Sequence, residues 1–451
     1  MDYGEIEEYV LSRMRETGIP GLSIGIISGN ELSYARGFGF RNIERGLPAT
    51  PRTIYGIGSI TKSFTALAIL KLVEEGKLDL QDPVDKYVPI KLNPTGVVTI
   101  HHLLTHSSGL PALGYAEAYI NSVLGLESKW LPLATPEDVL TFMRSAADWA
   151  VAKPGERYFY LNEGYVILGL IIKKVSGMLY EDFVRERILR PLGMGRTYFT
   201  AEEVLRDPEV ATGYIIDREG RHIPSGFPFG ITSDGGILSS VIDMSRYVLM
   251  LINRGELNGV KVLSRESIEE AEGGYIDVPW KIIGDEKYGY GLIVSQGFYG
   301  RKLVEHSGNV GVYTADIAYI PSDGVGVIIM ANAQGYSLSM MGIYVLGKLL
   351  GHEPSELRPF MMESITRELE GIYEAYGGTV RVSVRRQGNY LIMRSVTKYT
   401  EETTIFVPEE MRRDYARFYT LMNGARIPAE FFMDGGKTVL IYERFRFIKR
   451  E

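Results

Sequence analysis

A serine and a lysine stand one helical turn apart in residues 56–62, which read GIGSITK. Ser59 begins the run Ser59–Glu75, whose body is apolar nearly all round, and this pattern predicts a buried helix. At this spacing the amine of Lys62 can reach the hydroxyl of Ser59, and burial favours the neutral amine, which is a base. Free N–H groups at the helix start favour negative charge at Ser59. The pair could therefore supply the nucleophile and general base of an acyl transfer, the alternative being a helix cap beside a solvated lysine.

Two polar motifs further along the chain could complete such a site. Tyr160 and Asn162 follow a Pro-Gly turn. A phenol beside an ammonium group can take a proton from a serine, and an amide can hydrogen-bond a substrate carbonyl. His306, Ser307 and Gly308 lie between two strand-like runs, where the small glycine lets a substrate backbone come close and the histidine could bind an anion or orient Tyr160. The structural alternatives are a packed tyrosine in a surface turn and a partly buried histidine.

The elements that carry these motifs predict an α/β unit. Helix-type runs occupy the middle of the chain and one stretch after it, at Ile100–Leu104, Glu137–Arg144, Gly164–Val175, Tyr180–Ile188 and Ser337–Leu350. Strand-like runs lie on both sides of that middle section, at Leu22–Ile27, Glu31–Tyr34, Lys302–Val304, Tyr313–Ile320 and Gly326–Met330. We therefore predict one sheet whose edges come from distant parts of the chain.

The pattern changes after Leu350. Residues 351–369 include Gly351 and Pro359 and are predicted to be a linker. Residues 370–451 consist of short alternating runs joined by glycine turns, which predicts a small closed β-barrel. The predicted domains are thus residues 1–350, which carry all three motifs, and residues 370–451.

The composition excludes several classes of function. The 451 residues carry a net charge of −7 without a basic stripe, so no nucleic-acid partner is predicted. The absence of cysteine excludes disulfides, thiolate metal sites and a thiol nucleophile. Apolar runs are too short for a membrane span and the first 17 residues lack an apolar signal core, which predicts no membrane partner and a cytoplasmic location. Scarce cysteine and glutamine indicate a thermophile or ordinary compositional drift.

A histidine cluster is the one signal that competes with this interpretation. His102 and His106 have the spacing of a helical zinc pair, and His101 is adjacent. However, Leu103 stands where a zinc protease needs its catalytic glutamate. We predict no metal and no cofactor.

Taken in order, the three motifs resemble those of the superfamily of serine β-lactamases, penicillin-binding proteins and related esterases, in its class C and D-aminopeptidase branch. Further stretches are also similar, at residues 76–89 (GKLDLQDPVDKYVP), 99–110 (TIHHLLTHSSGL), 154–197, 231–246 and 289–332. The resemblance covers most of residues 1–350. It implies a five-stranded antiparallel sheet flanked by helices, with an all-helical subdomain and the site between them.

The resemblance also implies a role for each motif residue. Ser59 would attack the substrate, with Lys62 and Tyr160 sharing the proton transfers. The backbone N–H groups of Ser59 and Asn309 would form an oxyanion hole, in which one donor is worth about 3–4 kcal/mol in the transition state. The implied catalytic residues are Ser59, Lys62, Tyr160 and His306, and the implied substrate-binding residues are Asn162, Ser307, Gly308 and Asn309.

Two residues depart from the common pattern of the superfamily. Many relatives carry a lysine at the position of His306, where it holds a substrate carboxylate, and a histidine is more similar to the D-aminopeptidase pattern. Leu161 replaces a small residue and is expected to narrow the site. Both departures disfavour efficient β-lactam hydrolysis. The chain most resembles archaeal, self-compartmentalising serine peptidases of the CubicO group, whose eight-stranded, lipocalin-like barrel would fit residues 370–451.

The sequence therefore predicts a serine peptidase that cleaves peptides or small acyl substrates through an acyl-enzyme at Ser59, tolerates D-residues and forms a homo-oligomer. A carboxylesterase or a weak β-lactamase would use the same nucleophile and oxyanion hole, so the sequence does not separate them. The alternative of another class is a non-catalytic penicillin sensor or scaffold. Such a protein would be free to lose Ser59, Lys62 or Tyr160, and all three are present.

Overall fold

A computed structural model describes residues 3–127, 131–230 and 232–450 of the chain. The chain divides into two units between Leu350 and Gly351. Some of the predicted segments include residues that lie outside the described ranges, namely Met1, Asp2, Ile231 and Glu451. No helix in the described ranges combines the length and the apolar character that a membrane crossing needs.

The first unit alternates helices with strands. Its helices are α1 (Gly4–Thr17), α2 (Thr61–Glu74), α3 (Ile100–Leu104), α4 (Tyr115–Val123), α5 (Pro136–Phe142), α6 (Asn162–Ser176), α7 (Tyr180–Val184), α8 (Ala201–Val204), α9 (Val241–Ile252), α10 (Arg265–Ala271) and α11 (Leu338–Leu349). Its strands are β1 (Gly21–Ser28), β2 (Glu31–Asn42), β3 (Leu47–Pro48), β4 (Tyr55–Gly56), β5 (Gly213–Ile216), β6 (His222–Ser225), β7 (Leu238–Ser239), β8 (Glu256–Leu257), β9 (Val260–Lys261), β10 (Ile276–Asp277), β11 (Lys287–Tyr288), β12 (Ile293–Phe298), β13 (Arg301–Asn309), β14 (Thr314–Ile320) and β15 (Val325–Ala331).

The main sheet of this unit is antiparallel and has the strand order β10-β11-β12-β13-β14-β15-β1-β2-β3. It therefore has nine strands where the resemblance implied five. Three of the additional strands, β3, β10 and β11, are two-residue extensions at the edges, too short to leave an alternation that sequence reasoning could detect. As predicted, the two edges of the sheet, β3 and β10, come from distant parts of the chain, and inside it the N-terminal strand β1 pairs with β15, with Leu22 opposite Ala331.

Helices cover both faces of the sheet, which explains why β15 is buried along its whole length and reads as a continuous apolar run. A side-chain carbon added at Gly342 of α11 would meet Asp316 and Val327, whereas one added at Gly326 would meet Val248 of α9. Because neighbouring residues of a strand point to opposite faces, α9 and α11 pack on opposite sides. The helical section packs around α2 and α6, which are buried nearly all round and share one hydrophobic core with the sheet.

The second unit is an eight-stranded closed barrel. Its elements are α12 (Arg358–Glu368), β16 (Gly371–Glu374), β17 (Arg381–Gln387), β18 (Tyr390–Val396), β19 (Glu401–Met411), β20 (Tyr415–Met422), β21 (Ala425–Asp434), β22 (Lys437–Tyr442) and β23 (Phe445–Lys449). Pairing of Tyr373 with Lys449 closes the barrel. Inward aromatic side chains, including Phe406, Phe418 and Phe431, fill its interior. The predicted barrel is thus confirmed.

The predicted linker at residues 351–369 requires a correction. Helix α12 occupies Arg358–Glu368, with Pro359 at its second position, and Ile365 and Leu369 belong to the core of the barrel unit. Proline is favoured in the first turn of a helix because the N–H that it lacks has no partner there. In this segment the proline therefore marks the start of a helix, not a break in structure.

Candidate active site

Ser59 lies in a single turn of 3₁₀-helix, Gly58–Ile60, that leads directly into α2. Ile57 fixes the approach to this turn, because its N–H donates to the carbonyl of Ile237 at 2.9 Å. The body of α2 is buried on every side, as its apolar sequence predicted. The serine is therefore attached to a rigid element while its own side chain remains partly exposed.

Lys62 is fully buried, and its amine is held on two sides. Nζ lies 3.1 Å from Ser59 Oγ and donates to the backbone carbonyl of Asp234 at 2.6 Å. It also lies 4.8 Å from the centroid of the Tyr160 ring. No carboxylate of the described residues forms an ion pair with it, so the hydroxyl of Ser59 is a principal polar neighbour of the amine.

The carbonyl that holds Lys62 belongs to a buried loop, residues 232–236, which sequence reasoning did not single out. Ser233 receives a hydrogen bond from Thr65 at its carbonyl (2.6 Å) and donates through Oγ to the carbonyl of Tyr165 (2.9 Å). The carboxylate of Asp234 accepts from the hydroxyl of Tyr115 at 2.8 Å. These bonds fix the position of the loop carbonyl. The sequence signal that could have located this loop was the Ser-Asp-Gly-Gly turn inside residues 231–246. It does not identify the carbonyl that binds Lys62, because a backbone acceptor requires no particular residue type.

Tyr160 lies two residues before the start of α6, and the ring of His106 packs against its ring. The two rings are 4.2 Å apart, and His106 Nδ1 accepts a hydrogen bond from the N–H of Leu161 at 3.0 Å. His106 is buried, and its backbone has a φ of +56°, an uncommon conformation for a residue other than glycine. This histidine, which the sequence had raised as a metal candidate, therefore packs beneath the site.

The other two histidines of that cluster are also engaged within the protein. His102 Nδ1 accepts from the N–H of Thr99 at 3.1 Å and so caps α3, and His101 Nδ1 lies 2.8 Å from the hydroxyl of Tyr290. Among the described residues, no group of three histidine, aspartate or glutamate side chains is arranged to hold a metal ion.

His306 lies on β13 with both ring nitrogens engaged. Its Nδ1 is 2.7 Å from the carbonyl of Ser307, which can only accept, so Nδ1 carries the proton and Nε2 accepts from the hydroxyl of Tyr288 at 3.0 Å. Burial, assisted by the charge of Lys62, lowers the pKa of His306 to about 3. The ring is therefore neutral, and it makes no hydrogen bond to Tyr160. This geometry does not support His306 as an anion binder or as a direct partner of Tyr160.

Two glycines bring the Ser59 turn against the end of β13. A side-chain carbon at Gly308 would lie 1.9 Å from the carbonyl oxygen of Ile57 and 3.0 Å from the amide of Ser59. One at Gly58, whose φ is +52°, would lie 2.6 Å from the amide of Asn309. Next along the hairpin, Val310 N–H donates to the carbonyl of Tyr313, and antiparallel pairs alternate, so the N–H of Asn309 points away from β14. The amides of Ser59 and Asn309 thus lie close to each other, where the Ser59 turn meets the end of β13.

The resulting cleft has a volume of about 330 Å³, within the range of small-molecule sites. Its lining is contributed by the motif residues, by α4 and by three loops, namely Ser59, Ala116, Glu117, Ile120, Asn121, Tyr160, Asn162, Asp234, Gly235, Asn309, Val310, Gly311 and Gln334. Ser59, Tyr160, Asn162 and Asn309 are therefore together in one cleft.

Four of the predicted site residues do not line that cleft, and one of them is the fully buried Lys62. His306 and Gly308 are buried behind it, and the exposed Ser307 lies opposite Asp316, where the alternation of the strand turns it to the other face of the sheet. Leu161, which was expected to narrow the site, is 1 % exposed and packs in the main core instead.

Comparison with known proteins places these features in context. The family described as Beta-lactamase matches residues 6–346, and the family described as Pab87 octamerisation domain matches residues 354–448. A solved structure, the octameric penicillin-binding protein homologue from Pyrococcus abyssi, superimposes with a TM-score of 0.95 at 52 % identity, covering 100 % of both chains.

Curated relatives are more distant and longer. Protein flp of Staphylococcus aureus (strain MW2) is 27 % identical over 77 % of this chain and 67 % of its own length. Penicillin-binding protein 4* of Bacillus subtilis (strain 168) is 30 % identical over 65 % of this chain and 64 % of its own length. The chain thus spans about two thirds of these relatives.

Proposed function

The chain belongs to the beta-lactamase family, whose members are serine hydrolases, and on that premise we propose that it is a serine peptidase. It would cleave peptides through an acyl-enzyme at Ser59 and would accept D-residues. The observation that carries the proposal is the buried amine of Lys62, 3.1 Å from the Ser59 hydroxyl and without a carboxylate partner among the described residues. A base in this position can accept the hydroxyl proton directly.

Acylation begins when Ser59 Oγ attacks the carbonyl carbon of the substrate and its proton passes to Lys62. The π electrons move to the carbonyl oxygen, and the amides of Ser59 and Asn309 stabilise the oxyanion. The C–N bond then breaks, its electrons stay on nitrogen, and the departing amine takes a proton from Lys62 or Tyr160. The acyl group remains as an ester on Ser59.

Deacylation repeats the sequence with water. Lys62 accepts a proton from the water molecule as its oxygen attacks the ester carbon, and the proton returns to Ser59 Oγ when the ester bond breaks. Asn162 lines the same cleft, where its amide can bind the substrate backbone. His306 would be a positioning residue, since it holds Tyr288 beneath Tyr160 and does not reach the cleft.

The alternative activities use the same residues. A carboxylesterase needs the same nucleophile and oxyanion hole, and so does a weak β-lactamase. A non-catalytic scaffold would have no need of a base held 3.1 Å from Ser59, which is why a hydrolase is preferred to it.

Covalent labelling tests the proposal. A fluorophosphonate probe should label the wild-type protein at Ser59, as located by peptide mass spectrometry, and should not label Ser59→Ala. Ser322→Ala, at an exposed serine in the turn after β14, is the matched control and should be labelled like the wild type. A panel of L- and D-aminoacyl p-nitroanilides, longer peptides, p-nitrophenyl esters and nitrocefin then separates peptidase, esterase and β-lactamase. Labelling that persists in Ser59→Ala contradicts the proposal.

We further propose that the protein assembles as a homo-octamer through its barrel unit. The match of residues 354–448 to an octamerisation domain and the full-length likeness to an octameric homologue support this assembly. The cytoplasmic location stays a prediction.

A further inference from the structure

The charges that face the cleft are unevenly distributed. Among the described residues that line it, the charged side chains are Glu117 and Asp234, and no lysine or arginine is included. Lys62 lies beneath the lining and is fully buried. A bound substrate therefore meets carboxylates at the walls, and a substrate carboxylate would find no cation there to balance it.

The two carboxylates differ in their exposure and in the hydrogen bonds that they already accept. Asp234 is 2 % exposed and accepts from the Tyr115 hydroxyl at 2.8 Å and from the N–H of Thr232 at 3.2 Å. Glu117, on the first turn of α4, is exposed, and within the described ranges its hydrogen-bonding partner is the side-chain amide of Asn162 at 3.4 Å. Glu117 is therefore the charged group that is available to a ligand.

Glu117 lies close to the residues that are proposed to transfer protons. Its partner Asn162 begins α6 two residues after Tyr160, so the carboxylate is one side chain away from the proton-transfer residues. Because the amide nitrogen of Asn162 donates to Glu117, the amide oxygen of Asn162 is oriented away from Glu117.

We propose, on the basis of the peptidase function above, that Glu117 binds a positively charged amine or guanidinium group of the substrate close to the scissile bond. The preferred substrates would be cationic peptides, with a lysine-like or arginine-like group beside the cleaved amide. When such a group binds in the cleft, water is displaced from between it and Glu117. A hydrogen bond between charged partners is shorter and stronger than a neutral one. Substrates that place a carboxylate at this point are repelled.

Matched peptides test the assignment, with lysine, N6-acetyl-lysine, norleucine or glutamate at each of the two positions flanking the cleaved bond. In the wild type, kcat/KM for the lysine peptide should exceed that for the acetyl-lysine peptide about 10-fold, the usual worth of a hydrogen bond to a charged group. Glu117→Gln retains the contact with Asn162 but not the charge, so the ratio of kcat/KM for the lysine peptide to that for the acetyl-lysine peptide should fall to near one. Glu117→Lys should reverse the preference, so that the glutamate peptide is cleaved best. Glu127→Gln removes the same charge from an exposed residue that does not line the cleft, and should retain the wild-type ratio.

A binding measurement separates this assignment from the catalytic proposal. Calorimetric titration of Ser59→Ala with the lysine and acetyl-lysine peptides measures recognition without turnover. The assignment is supported if Ser59→Ala binds the lysine peptide more tightly and if this preference disappears in the double variant with Glu117→Gln. Equal binding, or a lysine preference that survives Glu117→Gln, overturns it. If fluorophosphonate labelling of Ser59 and hydrolysis of the acetyl-lysine peptide persist in that case, the peptidase proposal stands and only the role of Glu117 is wrong.

Discussion

The amine of Lys62 has a fixed position because two acceptors hold it, Ser59 Oγ at 3.1 Å and the Asp234 carbonyl at 2.6 Å. A base that is already aligned with the nucleophile needs no further ordering in the transition state. Tyr160 touches the same amine with the face of its ring, at 4.8 Å. The hydroxyl of Tyr160 and the ring of Tyr160 can therefore have separate roles, one in proton transfer and one in packing.

Substitution of Tyr160 by phenylalanine separates these two roles. The change retains the ring against Lys62 and His106 and removes only the hydroxyl, so a proton-transfer role predicts a fall in kcat of about 10²–10⁴-fold. Tyr158→Phe is the matched control, because its hydroxyl is buried without a partner among the described residues, and it should turn over like the wild type. Near-wild-type turnover of Tyr160→Phe would show that the tyrosine is structural.

His306 makes the stability of the protein depend on pH. Its pKa of about 3 lies below the ordinary value of 6.5, because burial and the charge of Lys62 oppose protonation. The unfolded chain takes up the proton more readily, so this contribution to the free energy of unfolding is complete above about pH 6.5 and is lost as the pH falls from 6.5 toward 3. Thermal unfolding followed by circular dichroism should show a falling Tm over this range. His306→Gln should start from a lower Tm but lose less of it, and equal slopes would contradict the assignment.

The sequence predicted the site residues whose side-chain type is required by the chemistry. Ser59, Lys62, Tyr160 and Asn162 were predicted because acyl transfer needs such groups, and they lie close together, while their roles stay predictions. The Asp234 carbonyl was not found, because any residue can supply a backbone acceptor. Leu161 was misinterpreted because the turn before α6 directs it into the core, a consequence of tertiary packing that local spacing does not reveal.

At the scale of elements, the proposed oxyanion hole depends on the contact between the Ser59 turn and β13. Gly308 makes that contact possible, since a side-chain carbon there would overlap the carbonyl of Ile57 at 1.9 Å. Gly308→Ala should push the strand away from the turn, separate the amides of Ser59 and Asn309, and lower kcat by about 10²–10³-fold, the usual cost of losing one oxyanion donor. The measurement is kcat on an ester substrate, together with Tm to verify folding.

Gly195→Ala provides the comparison for this test. An added carbon at Gly195 meets nothing within 4 Å, so the variant should match the wild type in both kcat and Tm. A Gly308→Ala protein with an unchanged kcat would show that the oxyanion is bound elsewhere.

Elements were predictable where periodicity was long and regular. Helix α6 lies at Asn162–Ser176, where Gly164–Val175 was predicted, and the alternating runs after residue 370 form the predicted barrel. Helix α12 was missed because Pro359 and Gly351 indicate a break, whereas its apolar residues Ile365 and Leu369 bury against the barrel core, a long-range contact. The two-residue edge strands leave no pattern at all, since their pairing depends on the neighbour and not on their own sequence.

At the scale of the whole molecule, each unit has its own hydrophobic core. The core of the first unit is built around α2, α6 and α9, and the core of the barrel around Phe406, Phe418 and Phe431. Separate cores are the physical condition for independent folding. The first unit also contains every residue of the candidate site, so its covalent reactivity should not require the barrel.

The outer surface of the barrel carries apolar side chains that a stable interface would cover. Val396, Ile405 and Leu421 are 67 %, 53 % and 66 % exposed. Exposed apolar side chains on adjacent strands are typical of a surface that binds another protein. Together with the family match of residues 354–448, they indicate that contacts between copies of the chain involve this unit.

Removal of the barrel unit tests the link between assembly and access. A protein ending at Leu350 should remain folded and should react with a fluorophosphonate at Ser59, because its core and its site are complete. Its mass by light scattering should fall below that of the full-length assembly, and it should cleave long peptides faster relative to short ones, since an assembled shell would otherwise exclude them. Leu421→Lys in the full-length protein places a charge on the proposed interface and should weaken assembly without deleting any element. If particle mass and peptide-length preference are unchanged in both proteins, the barrel does not control access and stabilises the chain instead.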